Sequence, residues 1–206
     1  MFSAAKSGMI VLPKKLLPLT VFAIAVTSLF YVQPAQAYTV TLEQMGTNVV
    51  ANGSGAINLT GLQFVLSGTN QSAINASQGG IFTGPTGNSS VDSYSGFTGP
   101  TSFGSGGVFL PNIGSGDFVG IFDFVDRINV PHNYVSGAAL SDSMTFNKET
   151  FASLGVTPGT FEWTWGTGPN QNFTLIIGAV PDGGSTVSLL GCALLGLAAL
   201  RRKLRP

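Results

Sequence analysis

Hydrophobic and polar residues alternate with a period of two along most of the chain between residues 38 and 178. In the segments 38–43 and 62–66, a tyrosine, valine, leucine or phenylalanine occupies every second position. This period is typical of strands that bury one face. Residues 118–125 are apolar on nearly both faces, which favours a central strand. The pattern predicts an all-β fold, an antiparallel β-sandwich or a jelly-roll-like domain.

A hairpin near the end of this region is the clearest local prediction. Residues 160–165 alternate strictly, with Phe161, Trp163 and Trp165 on one face. A loop rich in glycine and proline follows, and residues 172–177 return as the partner strand.

Turn and helix signals divide the remaining segments. Asn52-Gly53 predicts a turn, and the polar run Ser67–Asn70 predicts the end of a strand. One short helix is predicted over residues 147–155, because Asn147 is a suitable N-cap and Gly155 a suitable end.

The N-terminal segment has the composition of a signal peptide. Lysines precede an apolar run over residues 16–31, and Ala35 and Ala37 then form an A-x-A site. We expect signal peptidase to remove residues 1–37, so that the mature chain begins at Tyr38.

The C-terminal segment, residues 180–206, has three parts in a fixed order. A polar motif spans residues 180–186, and an uncharged, mostly apolar stretch spans 183–200. The stretch is near the lower limit of roughly 17 to 25 residues for a transmembrane helix. Residues 201–206 form a basic end with four cations, which are Arg201, Arg202, Lys203 and Arg205. Because such an end stays cytoplasmic, residues 38–179 are predicted to lie on the opposite side of the membrane, as the exported domain.

The polar motif resembles the VPDSG variant of the PEP-CTERM sorting signals. Val180, Pro181, Asp182 and Gly184 match that variant, and Gly183 stands where its name has serine. The resemblance implies that an exosortase-type membrane enzyme recognises the motif and processes the tail of a membrane-anchored precursor. The Gly183-Gly184 pair is also similar to the signal of the rhombosortase class, which is the alternative route.

Segments of the exported domain resemble small exported proteins that carry these tails. The segments are residues 96–104, 134–137 and 157–166. This similarity implies a β-rich domain at the cell surface or in the extracellular matrix of a Gram-negative bacterium that makes exopolysaccharide. It implies no catalytic residue.

Charge and cysteine content change once the two ends are set aside. Between residues 38 and 179, the two basic residues Arg127 and Lys148 face eight acidic ones, which gives a net charge of −6. Such a domain is not expected to bind nucleic acid, which requires lysine and arginine opposite phosphates. The sole cysteine, Cys192, lies in the tail, so no disulfide is expected in the domain.

Catalytic and metal sites find little support. His132 is the sole histidine, which argues against a zinc site, and no serine lies in a Gly-x-Ser-x-Gly elbow. Asp117 and Asp123 fall about 20 Å apart on an extended strand, too far for a glycosidase pair. A calcium site at Asp123 and Asp126 is the minor alternative. We therefore expect no enzyme activity, no cofactor and no metal.

Two functions remain, and they differ in the environment of the aromatic strand. A structural protein of the surface or matrix would bury Phe161, Trp163 and Trp165 in its core. A lectin-like, glycan-binding module would instead expose Trp163 or Trp165 to a sugar, with exopolysaccharide as the partner.

Overall fold

The structure is a computed structural model that describes residues 36–178. Its regular elements are thirteen strands and two 3₁₀ turns, Ala76–Gln78 and Asp123–Val125. The strands are β1 (Tyr38–Met45), β2 (Asn48–Ala56), β3 (Gln63–Asn70), β4 (Ala73–Asn75), β5 (Gly80–Thr83), β6 (Ser89–Ser95), β7 (Val108–Phe109), β8 (Ile113–Gly116), β9 (Val119–Phe122), β10 (Arg127–Pro131), β11 (Ala139–Phe146), β12 (Gly159–Thr164) and β13 (Asn172–Ile177).

The strands form two sheets. Sheet A has six strands in the order β12-β13-β1-β2-β11-β8, and sheet B has seven in the order β3-β6-β10-β9-β5-β4-β7. Every neighbouring pair is antiparallel except β1 and β13, which are parallel from Tyr38 opposite Phe173 to Leu42 opposite Ile177. The first and last strands of the described region are therefore neighbours inside sheet A.

One hydrophobic core lies between the two sheets. Val40 on β1 and Leu175 on β13 are fully buried with Ile81 on β5, Ile121 on β9 and Ile128 on β10. The prediction of an all-β fold is confirmed, and two sheets around one core agree with the predicted sandwich. The parallel β1–β13 pair departs from a purely antiparallel fold, and the jelly-roll pattern of connections stays a prediction.

The turn predicted at Asn52-Gly53 is wrong, because both residues lie within β2. Gly53 pairs with Val40 on one side and with Asp142 on the other. A β-carbon at Gly53 would overlap the Tyr38 hydroxyl and the Asp142 carboxylate. The glycine therefore leaves space for the Tyr38 and Asp142 side chains, which meet over the strand. Close approach of a neighbouring group is a common reason for a glycine inside a strand.

The strand end predicted at Ser67–Asn70 is also wrong. These residues complete β3, where the pairing with β6 continues to Asn70 opposite Ser89. Turn-forming residue types lie in this strand because it is exposed along most of its length.

The helix predicted over residues 147–155 is replaced by consecutive turns. The Leu154 amide donates to the Thr150 carbonyl at 3.0 Å, which is one isolated helical turn. Leu154 is buried, and Gly155 has a positive φ of 63° that ends the turn. The terminating glycine was predicted correctly, but the segment is too short to continue as a helix.

The predicted hairpin is confirmed. β12 and β13 pair antiparallel, with Trp163 opposite Phe173. The predicted central strand is confirmed too, since β9 is fourth of seven in sheet B. It is shorter than expected, because Asp123–Val125 forms a 3₁₀ turn.

Candidate functional site

A buried polar cluster joins sheet A to sheet B. The Tyr38 hydroxyl on β1 donates to a carboxylate oxygen of Asp142 on β11, and it lies 3.1 Å from the Thr83 hydroxyl on β5. The Thr83 hydroxyl lies 3.1 Å from the carbonyl oxygen of Val119, to which it donates. Tyr38 and Thr83 are fully buried and Asp142 is 6% exposed. We call these three residues the Tyr38–Thr83–Asp142 cluster.

The carboxyl group of Asp142 has a raised pKa in this cluster. Burial raises this pKa to about 6, although the hydrogen bond from Tyr38 acts in the opposite direction. Its Oδ1 atom is buried and has no hydrogen-bond partner within residues 36–178. At neutral pH the core therefore holds a carboxylate that is bonded through one oxygen alone, which is unfavourable.

The cluster is closed to solutes. Burial raises the pKa of Tyr38 well above its ordinary value, so the hydroxyl remains a donor at neutral pH. Neither of the two surface clefts described below is lined by Tyr38, Thr83 or Asp142. Its role is therefore to fix β1 and β11 of sheet A against β5 of sheet B.

A second polar group lies nearer the surface, around Asp92 on β6. The Ser67 hydroxyl donates to Asp92 Oδ1 at 2.6 Å, and His132 Nδ1 lies 2.8 Å from the same oxygen. The Asn133 amide donates to Asp92 Oδ2 at 2.9 Å. The hydrogen bond from Ser67, followed by that from His132, lowers the pKa of Asp92.

This group lacks the order of a nucleophilic triad. A catalytic serine must contact the imidazole, whereas Ser67 contacts the carboxylate. Within the described region, no hydroxyl lies at hydrogen-bond distance from either ring nitrogen of His132. The arrangement fixes the loop after β10, and the sequence missed it because Ser67 and His132 are far apart in the chain.

Of the three clustered aspartates, Asp117 lies apart from Asp123 and Asp126, which lie at the two ends of one 3₁₀ turn. Asp117 and Asp123 lie at opposite ends of β9. Asp117 accepts from the Ser141 amide at 2.9 Å, and Asp126 accepts from the Gly96 amide at 3.1 Å. Burial, then the charge of Asp126, raises the pKa of Asp123. Within residues 36–178, no group of three or more histidine, cysteine or acidic side chains could hold a metal ion.

The tryptophans considered as glycan contacts lie in the core. Trp163 is fully buried and Trp165 is 8% exposed. Their indole nitrogens donate to the carbonyl oxygens of Pro100 at 3.0 Å and Asn58 at 2.7 Å. Neither ring therefore offers a face to a sugar, and a glycan site would have to lie elsewhere.

The outer face of sheet B carries aromatic side chains and amides. Phe82 on β5 and Phe122 on β9 meet edge to face at 6.0 Å between ring centres. Clefts of about 350 and 270 Å³ lie beside this pair, and both rings line both clefts. The larger cleft adds four amide side chains, which are Asn70, Gln71, Asn75 and Gln78. We call this surface the Phe82–Phe122 face.

Small residues give the Phe82–Phe122 face its shape. A β-carbon at Gly120 would overlap the Phe82 ring, and one at Gly80 would lie 2.8 Å from the Phe122 ring. Arg127 is the one charged residue that lines either cleft, and two main-chain carbonyls, of Val125 and Asp126, accept from its Nη1. The sequence missed this face because its residues come from several strands.

The export signals lie mostly outside the described residues. Ala35, the motif Val180–Gly184, the transmembrane stretch 183–200 with Cys192, and the basic end 201–206 are in this group. Tyr38 begins β1, and the carbonyl of Gln36 accepts from the Ala56 amide at 2.8 Å. Within residues 36–178, no helix is long and apolar enough to cross a membrane.

Comparison with known proteins identifies the tail. A family model described as the VPDSG-CTERM motif matches residues 179–204. The chain matches no curated protein and no solved structure. The segment that resembled a VPDSG signal in sequence is therefore shown to be one, and the chain carries a PEP-CTERM-like sorting tail of the VPDSG-CTERM type.

Proposed function

We propose that the protein is a structural component of the cell surface or extracellular matrix, delivered there by exosortase-type processing. The sorting tail indicates an exported, membrane-anchored precursor that is a substrate for such an enzyme. This tail is the observation on which the proposal rests. Removal of the signal peptide before Tyr38 by signal peptidase is the other step that we propose.

The position of the large aromatic and acidic side chains in the core supports a structural role for the domain. Its two tryptophans are buried, and its most buried carboxylate, Asp142, is bonded to Tyr38 in the core. No catalytic activity and no cofactor are part of the proposal. These large aromatic and acidic groups contribute to packing and to the joining of the two sheets.

Substitutions in the motif test the sorting route. We expect Pro181→Ala with Asp182→Ala to leave an unprocessed precursor in the membrane, because the apolar stretch and the basic end still hold it. Pro169→Ala with Glu43→Ala removes one proline and one carboxylate from the surface of the domain, and it should be processed normally. Fractionation and mass spectrometry of the exported protein would compare the two.

A third variant separates the two sorting classes. Under the rhombosortase alternative, Gly183→Val with Gly184→Val should block processing while Pro181→Ala with Asp182→Ala does not. Normal processing of the Pro181 and Asp182 variant would overturn the exosortase route.

A glycan-binding role is the second candidate, and the Phe82–Phe122 face favours it. Sugars present C–H groups that pack on aromatic rings and hydroxyls that bond to amides. On this face the half-buried Phe122 is the ring within reach, since Phe82 beneath it is 8% exposed, and the amides lie beside it. The face carries a single cation and no carboxylate in its clefts, which suits a neutral polysaccharide. The jelly-roll connection pattern would agree with such a module but is not required for it.

Binding of the exported protein to a glycan array would test this role. We expect Phe122→Ala to weaken binding at least tenfold. Phe64→Ala is the matched control, because Phe64 is 58% exposed, packs on Tyr94 and lines neither cleft. Equal binding by both variants, or no binding by the wild type, would reject this face as a glycan site.

A further inference from the structure

The two sheets end in four edge strands, and three of these are poor templates for another strand. These are β12 and β8 in sheet A and β7 in sheet B. β7 has two residues and β8 has four. β12 carries the charged Glu162, and Thr98 already exchanges two hydrogen bonds of 2.9 Å with Thr164 at its end.

The fourth edge, β3, has none of these protections. It is eight residues long and contains no charged residue and no proline. Its large apolar side chains are exposed, with Phe64 at 58% and Leu66 at 48%. Natural sheets blunt such edges with lysine, proline, short strands or bulges, because an open edge pairs readily with another chain.

The one protective feature of β3 leaves most of the strand regular. A bulge interrupts the pairing with β6 between Phe64 and Leu66. From Leu66 to Asn70, five consecutive residues pair regularly with Ser93 to Ser89. Within residues 36–178, no other strand pairs with this segment. On the side of this segment that faces away from β6, the main-chain groups therefore have no strand partner within the described residues.

Charge decides which partner fits this edge. The domain has a net charge of −6, so two copies repel one another over most of their surfaces. β3 carries no charge, and Asp92 on the neighbouring strand is 7% exposed and hydrogen-bonded to Ser67. Two copies that meet through β3 therefore bring no charged side chain of either strand together, whereas a basic partner would be drawn to the acidic side chains on other surfaces.

We propose that β3 is an assembly edge, through which two copies of the chain pair antiparallel about a two-fold axis. Such an axis places the same strand of each copy opposite itself, and Gly68 is the centre of the regular segment. Ser67 of one copy then lies opposite Thr69 of the other, and the two seven-stranded sheets become continuous. The proposal concerns the folded domain and is independent of how the tail is processed.

Cysteine crosslinking in cells that export the full-length chain tests the pairing. Replacing Cys192 by serine leaves a chain without cysteine. A single cysteine placed in turn at each position from 66 to 70 then reports on one site. Directly opposed residues in an antiparallel pair have Cα atoms about 4.5 to 5.5 Å apart, which a disulfide can span. We expect disulfide-linked dimers with one maximum near Gly68.

The matched control is Thr160→Cys, an exposed position on the other long edge strand, β12. A maximum on β3 at least fivefold above this control supports the proposal. Yields equal to the control at every position would overturn it, and so would crosslinks formed mainly to other proteins.

A charge variant gives a second, solution test on the purified protein. Leu66→Lys with Thr69→Lys should reduce the dimer fraction at least tenfold in sedimentation experiments, because four cations then meet at the axis. Val135→Lys, at a site that is 72% exposed, is the control. Wild-type dimerisation should strengthen with added salt, which screens the repulsion between copies. A wild-type monomer at all salt concentrations would overturn the proposal.

Discussion

Asp142 and Asp92 are both hydrogen-bonded to hydroxyl side chains, yet their ionisation shifts in opposite directions. Burial dominates at Asp142 and raises its pKa to about 6, whereas hydrogen bonds dominate at Asp92 and lower its pKa. Asp92 accepts from Ser67, His132 and Asn133 through both oxygens, while Asp142 leaves Oδ1 without a partner. Burial with incomplete hydrogen bonding therefore raises the pKa of a carboxyl group, and hydrogen bonds to both oxygens lower it.

The difference has opposite consequences for stability against pH. A raised folded pKa means that the folded state binds the proton more tightly than the unfolded state. Asp142 therefore favours folding below about pH 4 and progressively disfavours it as pH rises through about 6. Asp92, with a lowered pKa, contributes stability above its ordinary pKa of 3.8 and loses it on further acidification.

The largest effect is expected from filling the space that the buried carboxylate and Tyr38 occupy. Gly53→Ala should destabilise the domain by roughly 3 kcal/mol, because the new methyl group overlaps both side chains and neither can move into solvent. Gly107→Ala is the matched control, since nothing lies within 4 Å of its β-carbon position. Denaturant unfolding would compare them, and equal stability of the two variants would contradict the close packing at Gly53.

The pH dependence of the Asp142 carboxyl is the next largest effect. The shift from 3.8 to about 6 corresponds to on the order of 3 kcal/mol of stability, which the wild type should lose between pH 4 and pH 7. Asp142→Asn should remove most of this slope, because an amide carries no charge. Glu162→Gln on the exposed side of β12 should retain it. The same slope in Asp142→Asn and the wild type would show that Asp142 is not its source.

A smaller change of opposite sign is expected at Asp92. Ser67→Ala removes the hydrogen bond that lowers the pKa of Asp92 most, and it should cost about 1 kcal/mol at pH 7 and less at pH 3. Ser90→Ala is the control, as an exposed serine on the neighbouring strand. Thermal unfolding at the two pH values measures the difference, and a larger loss at pH 3 than at pH 7 would contradict a lowered pKa of Asp92 in the folded state.

The fold could be predicted as far as local patterns reach. Alternation identified the hairpin of β12 and β13, and the doubly apolar segment identified β9 as central. Glycine misled the prediction at Gly53, because the reason for that glycine is the contact of Tyr38 with Asp142, and these residues are 104 positions apart. Nothing local distinguishes a glycine in a turn from one under a long-range contact.

The candidate sites could likewise be predicted only where their residues are contiguous in the sequence. The sorting motif is contiguous, so its residues were found directly. The Tyr38–Thr83–Asp142 cluster left one signal, since Asp142 occupies an inward position between Leu140 and Met144 on an alternating strand. The Phe82–Phe122 face needed the strand order of sheet B, which periodicity does not provide.

Mass spectrometry of the C-terminal peptide of the exported protein tests the central claim, that the tail is a processing signal and the domain is what remains outside the membrane. We predict a C-terminus within or next to Val180–Gly184, with residues 187–206 absent from most surface molecules. An intact Arg205-Pro206 terminus on most of them would contradict processing and leave a permanent membrane anchor.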